Sequence, residues 1–269
     1  MIRIFNHDRE KPKTNYDIIA SCISNRGNVR ENNEDNLYFD GRYLEQNHDG
    51  LSRTVTIQSL TEHAAVFAVF DGMGGECCGE VASYLAASEF HRCVLEEASR
   101  MRPEAFLTAA CEQMNERICS EAENRGARGM GTTAAILLFQ KNLVYACNLG
   151  DSPIFRVRDG VLSPVYEEHT NRLFLQEQGI TKRKPALTQC LGIPRDEMII
   201  QPYLVVNEMA EGDQYLICSD GLTDMVTQDE IRDILMEEIS SEECINKLLD
   251  QVWERGARDN ITIILCRVA

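Results

Sequence analysis

The sequence predicts an α+β fold in which antiparallel sheets are covered by helices. Three observations carry that prediction. The segments run strands, helices, strands, helices, strand; neighbouring strands are separated by stretches short enough for hairpins; and nowhere do strand and helix alternate as βαβ units require. With 269 residues, 43% hydrophobic and 26% charged, the chain has ordinary globular composition. One domain over residues 1–269 is expected, since no repeat or Pro-, Gly- or Ser-rich linker divides it.

The elements follow in order. "DIIASCIS", Asp17 to Ser24, reads as a strand and "NLYFD", Asn36 to Asp40, as its partner after a polar turn. "GRYLEQNHDG" reads as a loop, and "RTVTIQ" alternates as an edge strand does. "EHAAVFAVF" is a nearly continuous apolar strand ending at Asp71. Glu80 to Ala98 and Pro103 to Asn124 place apolar residues at helical spacing, the proline suiting a first turn. "TAAILLF", "LVYACNL", "IFRVRDG" and "VLSPVY" are closely spaced strands. "NRLFLQEQ" is a short helix, "QPYLVV" and "DQYLICS" are strands, and "QDEIRDILMEE" and "SEECINKLLDQVWERG" are helices before the last strand, "ITIILCRV".

Charge narrows the function. The 43 Asp and Glu against 27 Lys and Arg give a net charge of -16, a field that repels nucleic acid and anionic membranes. It would equally repel a phosphorylated substrate, unless bound cations neutralise some carboxylates. The 11 cysteines mostly lie in apolar runs and form no CxxC pair, which suits small core residues in a reducing cytoplasm. The first residues carry no apolar leader and no stretch approaches the roughly 18 apolar residues of a membrane span.

Three apolar strands finish alike: "AVFAVFDG" at Asp71 and Gly72, "QYLICSDG" at Asp220 and Gly221, and "VYACNLGD" at Gly150 and Asp151. Glycine permits a sharp turn and close approach, while the strand holds its aspartate on a rigid support. "NNEDN" adds Glu34 and Asp35, and "ARDN" adds Asp259. A single Asp-Gly after a strand is an everyday turn signal, as Asp159-Gly160 is here. Three together favour convergence at one edge of the core, where ionised carboxylates require cations. Oxygen donors of this kind suit the hard ions Mg²⁺ and Mn²⁺.

"NRGNVRENNEDN", "VFAVFDGMGG", "GMGTTAAILL", "CNLGDSPIF", "LTQCLG", "DQYLICSDGLTDMV" and "ARDNITIIL" resemble, in the same order, the motifs of metal-dependent serine/threonine phosphatases of the protein phosphatase 2C type, bacterial-like. The resemblance runs from Ile18 to Val268. It implies a four-layer sandwich, two antiparallel sheets with helices on both outer faces, and a binuclear centre of Mn²⁺ or Mg²⁺ at one end. It further implies that Asp71, the Gly72 carbonyl, Asp220 and Asp259 hold two ions. Asp35 would ligate or hydrogen-bond the bridging solvent, Glu34 would act through water, and Asp151 with Asp220 would hold a weaker third ion. Arg30 matches the arginine that grips the substrate phosphate, and Asn260 supports the ligands from behind.

The activity so implied is hydrolysis of phosphoserine and phosphothreonine in proteins by a metal-bridging hydroxide, without a phosphoenzyme. Two ions about 3.5–4 Å apart supply that nucleophile and brace the displacement. The expected partners are phosphoproteins and a serine/threonine kinase acting on the same substrates, with no nucleic acid or membrane, and the chain is expected to be a cytoplasmic monomer.

The chain departs from the pattern at Met73, where many eukaryotic members have a proton-donating histidine. It departs also at Pro153 and Gln189, where arginine is frequent. Cys77 and Cys78 are read as helix packing, His169 as a hydrogen-bonding residue, and Lys182, Arg183 and Lys184 as a solvated stretch of the flap over the site. The rival readings are an inactive relative that binds metal or phosphoprotein as a regulator, and a two-metal nuclease. Retention of Arg30, Asp35, Asp71, Asp220 and Asp259 opposes the first, and the charge opposes the second.

Overall fold

The computed structural model describes residues 15–73, 78–180 and 184–269. Its first strands are β1 (Asp17–Asn25), β2 (Asp35–Phe39), β3 (Arg42–Tyr43), β4 (Val55–Leu60) and β5 (Ala65–Met73). Helices α1 (Gly79–Glu96) and α2 (Pro103–Arg125) come next, then β6 (Gly131–Thr132), β7 (Ala134–Gln140), β8 (Leu143–Leu149), β9 (Ile154–Arg158) and β10 (Val161–Pro164). A short α3 (Arg172–Glu177) precedes β11 (Tyr203–Glu208) and β12 (Gln214–Cys218). The chain closes with α4 (Asp220–Thr223), α5 (Gln228–Leu235), α6 (Ser241–Glu254) and β13 (Ile261–Val268).

Local sequence sets these limits. Pro103 opens α2 and Gly126, in the left-handed region at φ 65°, closes it. Capping boxes start α5 at Thr227 with Glu230 and α6 at Ser240 with Glu243, each satisfying orphan amides of the first turn.

One sheet has the order β10-β9-β12-β13-β1-β4 and the other β11-β8-β7-β5-β2-β3, with β6 paired to β5. Every pairing is antiparallel. The period-2 rule of strands sorts side chains into three cores. Phe67 and Val69 of β5 face Ile264 and Cys266 of β13 between the sheets, while Val66, Ala68 and Phe70 meet Phe90 and Phe106 of α1 and α2. Ile263 and Leu265 of β13 turn outward onto Ile231 of α5 and Leu248 of α6. The result is the predicted four layers, helix, sheet, sheet, helix. Each fully buried aromatic such as Phe67 or Phe90 contributes roughly 2–3 kcal/mol through the water it sheds, so both sheets are rigid platforms.

The edge position of β4 follows its alternating burial. The stretch read as a loop, 41–50, contains the two-residue β3, which hydrogen-bonds Tyr38 and Phe39; two residues are too short a run for periodicity to register. More consequentially, β5 does not end at Asp71. It continues through Met73, because β6 pairs Thr132 with Gly72 and Gly131 with Met73. Nor does Asp220 stand in a simple turn: it is the first residue of α4. Among the described residues no helix is long and apolar enough to cross a membrane. Cys78 is buried at the start of α1; Cys77, Lys182 and Arg183 lie outside the described residues.

Candidate functional site

The registers bring several strand ends to one end of the sandwich. Asp35, opening β2, lies directly across from Asp71 of β5. Asn25 at the end of β1 pairs with Ile261 at the start of β13, and Cys218 at the end of β12 with Ile263. Asp259 and Asp220 therefore each sit two residues beyond neighbouring strand ends. Here a cavity of about 360 Å³ is lined by Arg30, Glu34, Asp71, Gly72, Asp151, Asp220, Asp259 and Asn260, with Met73, Thr133, Lys184, Pro185 and Leu187. Of the predicted site residues only Asp35 is not on its wall. That side chain is 1% exposed and lies beneath the others.

Each carboxylate is held by local bonding. The Asp71 amide donates to Thr133 Oγ1 at 3.0 Å, and its carbonyl accepts from Thr132 Oγ1 at 2.9 Å; Thr133 Oγ1 in turn meets Ser152 Oγ at 2.7 Å. The "GTT" threonines thus clamp the backbone on which Asp71 stands. Ser219 Oγ donates to Asp35 Oδ2 at 2.7 Å and accepts from the Thr262 amide at 3.0 Å. Gly72 is squeezed between two chains: a Cβ there would lie 2.2 Å from the Gly79 carbonyl and 2.3 Å from that of Glu34, so no side chain fits.

Asn260 stitches the loop that carries Arg30 and Glu34. Its Nδ2 donates to the carbonyls of Arg26 and Asn32, both at 2.9 Å, and its Oδ1 accepts from the Glu34 amide at 2.8 Å. The Arg30 guanidinium donates to Asp259 Oδ2 at 2.8 Å. Opposite, Lys184 Nζ donates to Asp220 Oδ2 at 2.9 Å and lies 3.5 Å from Asp224 Oδ2.

Burial and like charge set the electrostatics. Burial, with Asp220 and Asp259 nearby, lifts Asp35 to about 7 against the pull of its Ser219 hydrogen bond. Asp71 is held well above the usual carboxylate range by burial and by Asp35, Asp220, Asp151 and Asp259. Asp151 rises to about 6 through burial and Asp220, and Glu34 rises mainly through burial. Burial opposes the charge on Lys184, but its bond to Asp220 more than reverses that and raises it.

The donor set is all oxygen, from carboxylates and the Gly72 backbone on the cavity wall, with excess negative charge; it fits hard divalent cations. Among the described residues no three His, Cys, Asp or Glu side chains stand close enough to grip an ion as they lie. Two of the carboxylates are instead paired with Arg30 and Lys184.

Sequence reasoning missed Lys184 as a wall of this cavity, and also Asp224, which lies 3.5 Å from Lys184, and Ser219, which donates to Asp35. The signal was present for the first, a cation in an acidic chain, but a basic stretch reads equally as solvated surface. His169 is structural: its Nδ1 accepts from the Gly150 amide at 3.2 Å. Gln189 accepts from the Gln201 amide at 2.7 Å, and neither it nor Pro153 lines the cavity.

Comparison with known proteins gives a consistent picture. Residues 47–262 match the family model described as Protein phosphatase 2C. A serine/threonine protein phosphatase, PstP, of Mycobacterium tuberculosis is 30% identical over 255 residues, 91% of this chain. This chain spans 44% of the length of that relative. A putative protein phosphatase 2C-type from Streptococcus pyogenes is 34% identical over 209 residues, covering 72% of this chain and 82% of its own. Among solved structures, the catalytic domain of PstP in complex with two manganese ions superposes with a TM-score of 0.74 at 28% identity, over 94% of this chain and 98% of that one. The serine/threonine phosphatase of S. agalactiae shares the fold at a TM-score of 0.77 and 24% identity, over 94% of this chain and 100% of its own.

Proposed function

This chain belongs to the protein phosphatase 2C family, and from that premise we propose that it is a metal-dependent phosphatase acting on phosphoserine and phosphothreonine in proteins. The observation that carries the reading is the convergence of Glu34, Asp71, Asp151, Asp220 and Asp259 with Arg30 on one cavity, from positions as far apart in sequence as residues 30 and 259.

Asp71, the Gly72 carbonyl, Asp220 and Asp259 would hold two Mn²⁺ or Mg²⁺ ions, with Glu34 reaching them through water and Asp151 joining Asp220 around a weaker third. Bound ions supply charge neutralisation, polarisation of phosphoryl oxygens and water of lowered pKa. The residues themselves do the rest. Arg30, half-exposed on the cavity wall, presents a planar cationic fork that matches phosphoryl oxygens. Asp35 Oδ2, oriented by Ser219, holds a proton or hydrogen bond beneath the reacting centre. Met73 on the wall has no proton to donate, so the leaving oxygen is protonated by solvent. Asn260 fixes the loop that aims Arg30 and Glu34.

The described residues form one catalytic domain, and its partners are phosphoproteins modified by an opposing serine/threonine kinase. The cysteines among them are free thiols, consistent with a reducing compartment.

The test is hydrolysis of a chromogenic aryl phosphate and of a phosphothreonine peptide, with and without Mn²⁺. Turnover of both that requires the ion and is abolished by a chelator is expected. Mn²⁺ binding without turnover would place the chain instead among regulators that have lost catalysis, and turnover that survives full chelation would reject the metal mechanism.

A further inference from the structure

We propose that Lys184 is a resident cation that competes with the third metal ion for Asp220, so that this chain sets its own threshold for filling that position. The inference deepens the metal-centre reading above and rests on it. Two cavities meet at this residue. The one already described and a neighbour of about 380 Å³ both have Asp151, Lys184, Pro185 and Asp220 in their walls, so the Lys184 ammonium stands at the partition between them. Its Nζ is 2.9 Å from Asp220 Oδ2 and 3.5 Å from Asp224 Oδ2. Those two carboxylates are four residues apart, Asp220 opening α4 and Asp224 capping it, the spacing that puts two side chains on one helical face.

An ammonium and a divalent cation cannot both take the same carboxylate oxygen at contact distance. An ion drawing on Asp151 and on Asp220 Oδ2 must therefore displace Lys184, whereas an ion of the tight pair held through Asp220 Oδ1 need not. The pair Arg30–Asp259 shows that this competition is not confined to one wall, but the two cases differ. Arg30 matches the substrate-phosphate position, whereas Lys184 is bracketed by two carboxylates and lies in a segment, 184–187, that lines the cavity through Lys184, Pro185 and Leu187. The Lys184 side chain is 65% exposed, so it can swing into solvent without breaking the core, and each of its ion pairs has the modest strength of a surface contact. Apparent affinity falls by the fraction of protein in which the acceptor is free. Two weak pairs together put the handicap on the third ion at about five- to tenfold.

Mn²⁺ binding to the whole chain, followed by calorimetry and by the spin resonance of free Mn²⁺, tests this in wild type, Lys184→Met and Lys184→Arg. Wild type should bind two ions tightly and a third weakly. Lys184→Met should tighten only the third, by about five- to tenfold, Lys184→Arg should behave as wild type, and the gain should vanish in Lys184→Met combined with Asp151→Ala. The metal-free Lys184→Met protein should also melt at a lower temperature, since Asp220 and Asp224 lose their counter-charge. An unchanged or weakened third ion in Lys184→Met, with the tight pair intact, overturns the proposal while leaving the metal centre standing. So does an unchanged third ion accompanied by weaker binding of inorganic phosphate, which would make Lys184 a phosphate ligand. Absence of tight Mn²⁺ in wild type overturns the metal-centre reading and this inference with it.

Discussion

Replacing Asp35 by asparagine should make the metal-free protein more stable and the metal-loaded protein inactive. Asp35 is 1% exposed, so solvent screening gives little relief, and burial among other carboxylates lifts it from 3.8 to about 7. The sign follows from proton linkage. A carboxyl whose folded value is raised contributes its full stability below 3.8 and loses it progressively as the pH climbs to about 7. At about 1.4 kcal/mol per pH unit, the loss in wild type approaches roughly 4 kcal/mol at pH 7 and above. Asparagine cannot ionise, and its Oδ1 still accepts from Ser219 Oγ. The stability gap between variant and wild type should therefore be near zero at the acid end, widen through the interval and level off. Urea denaturation of chelator-treated protein at about pH 4.5, 6 and 8 measures it directly. With Mn²⁺ at about 100 times its dissociation constant, wild type should recover about 2.7 kcal/mol, and the variant less. A gap that does not change with pH, or a variant less stable than wild type at pH 8, would refute the argument that Asp35 is held at a cost for the sake of the site.

Gly72→Ala forces a methyl against two backbone carbonyls, at 2.2 and 2.3 Å, neither of which can rotate away. Thermal melts should show a loss of about 2 kcal/mol or more, and Mn²⁺ titration a weakened tight pair. Arg30→Ala should raise KM for a phosphopeptide by about tenfold or more with a smaller fall in kcat, and Arg30→Lys should recover only part of it because the planar fork is lost. Steady-state kinetics showing kcat alone affected would remove Arg30 from ground-state phosphate binding.

Much of this was legible because the relevant signals are local. The alternation of "RTVTIQ" marked an edge strand, and the continuous apolar run before Asp71 marked a central one. Three strand ends of the same form pointed at one edge, and the registers put them there. What escaped was whatever depends on pairing between distant segments. β6 is two residues long and exists because Gly131 and Thr132 lie against β5, so no sequence period announces it. It nevertheless keeps Asp71 inside a strand and lets Thr132 and Thr133 clamp it. Read from the sequence alone, those threonines are equally a β-branched strand start. Lys184 escaped for the opposite reason: its neighbours in sequence are basic, so the stretch reads as solvated, and only the fold shows that this side chain turns toward Asp220.

A buried aspartate elsewhere in the same molecule shows what the site lacks. Asp213, 1% exposed, is fully answered from within: Arg158 Nε donates to Oδ1 at 2.6 Å, and Oδ2 accepts from Arg158, from the Ala210 amide and from Tyr215. One carboxylate there meets one guanidinium, and the cluster is structural. The cavity wall sets five carboxylates, Glu34, Asp71, Asp151, Asp220 and Asp259, against two cations, Arg30 and Lys184, and Asp35 beneath them receives hydroxyl hydrogen bonds rather than a positive charge. Gathering such groups raises their proton affinity and opposes folding, so stability alone gives no reason to place them together. The uncompensated charge is of the sign and roughly the size that two divalent cations carry. Asp35→Asn follows from the same imbalance: wherever the fold declines to neutralise its own carboxylates, removing one should stabilise the metal-free chain and disable the loaded one.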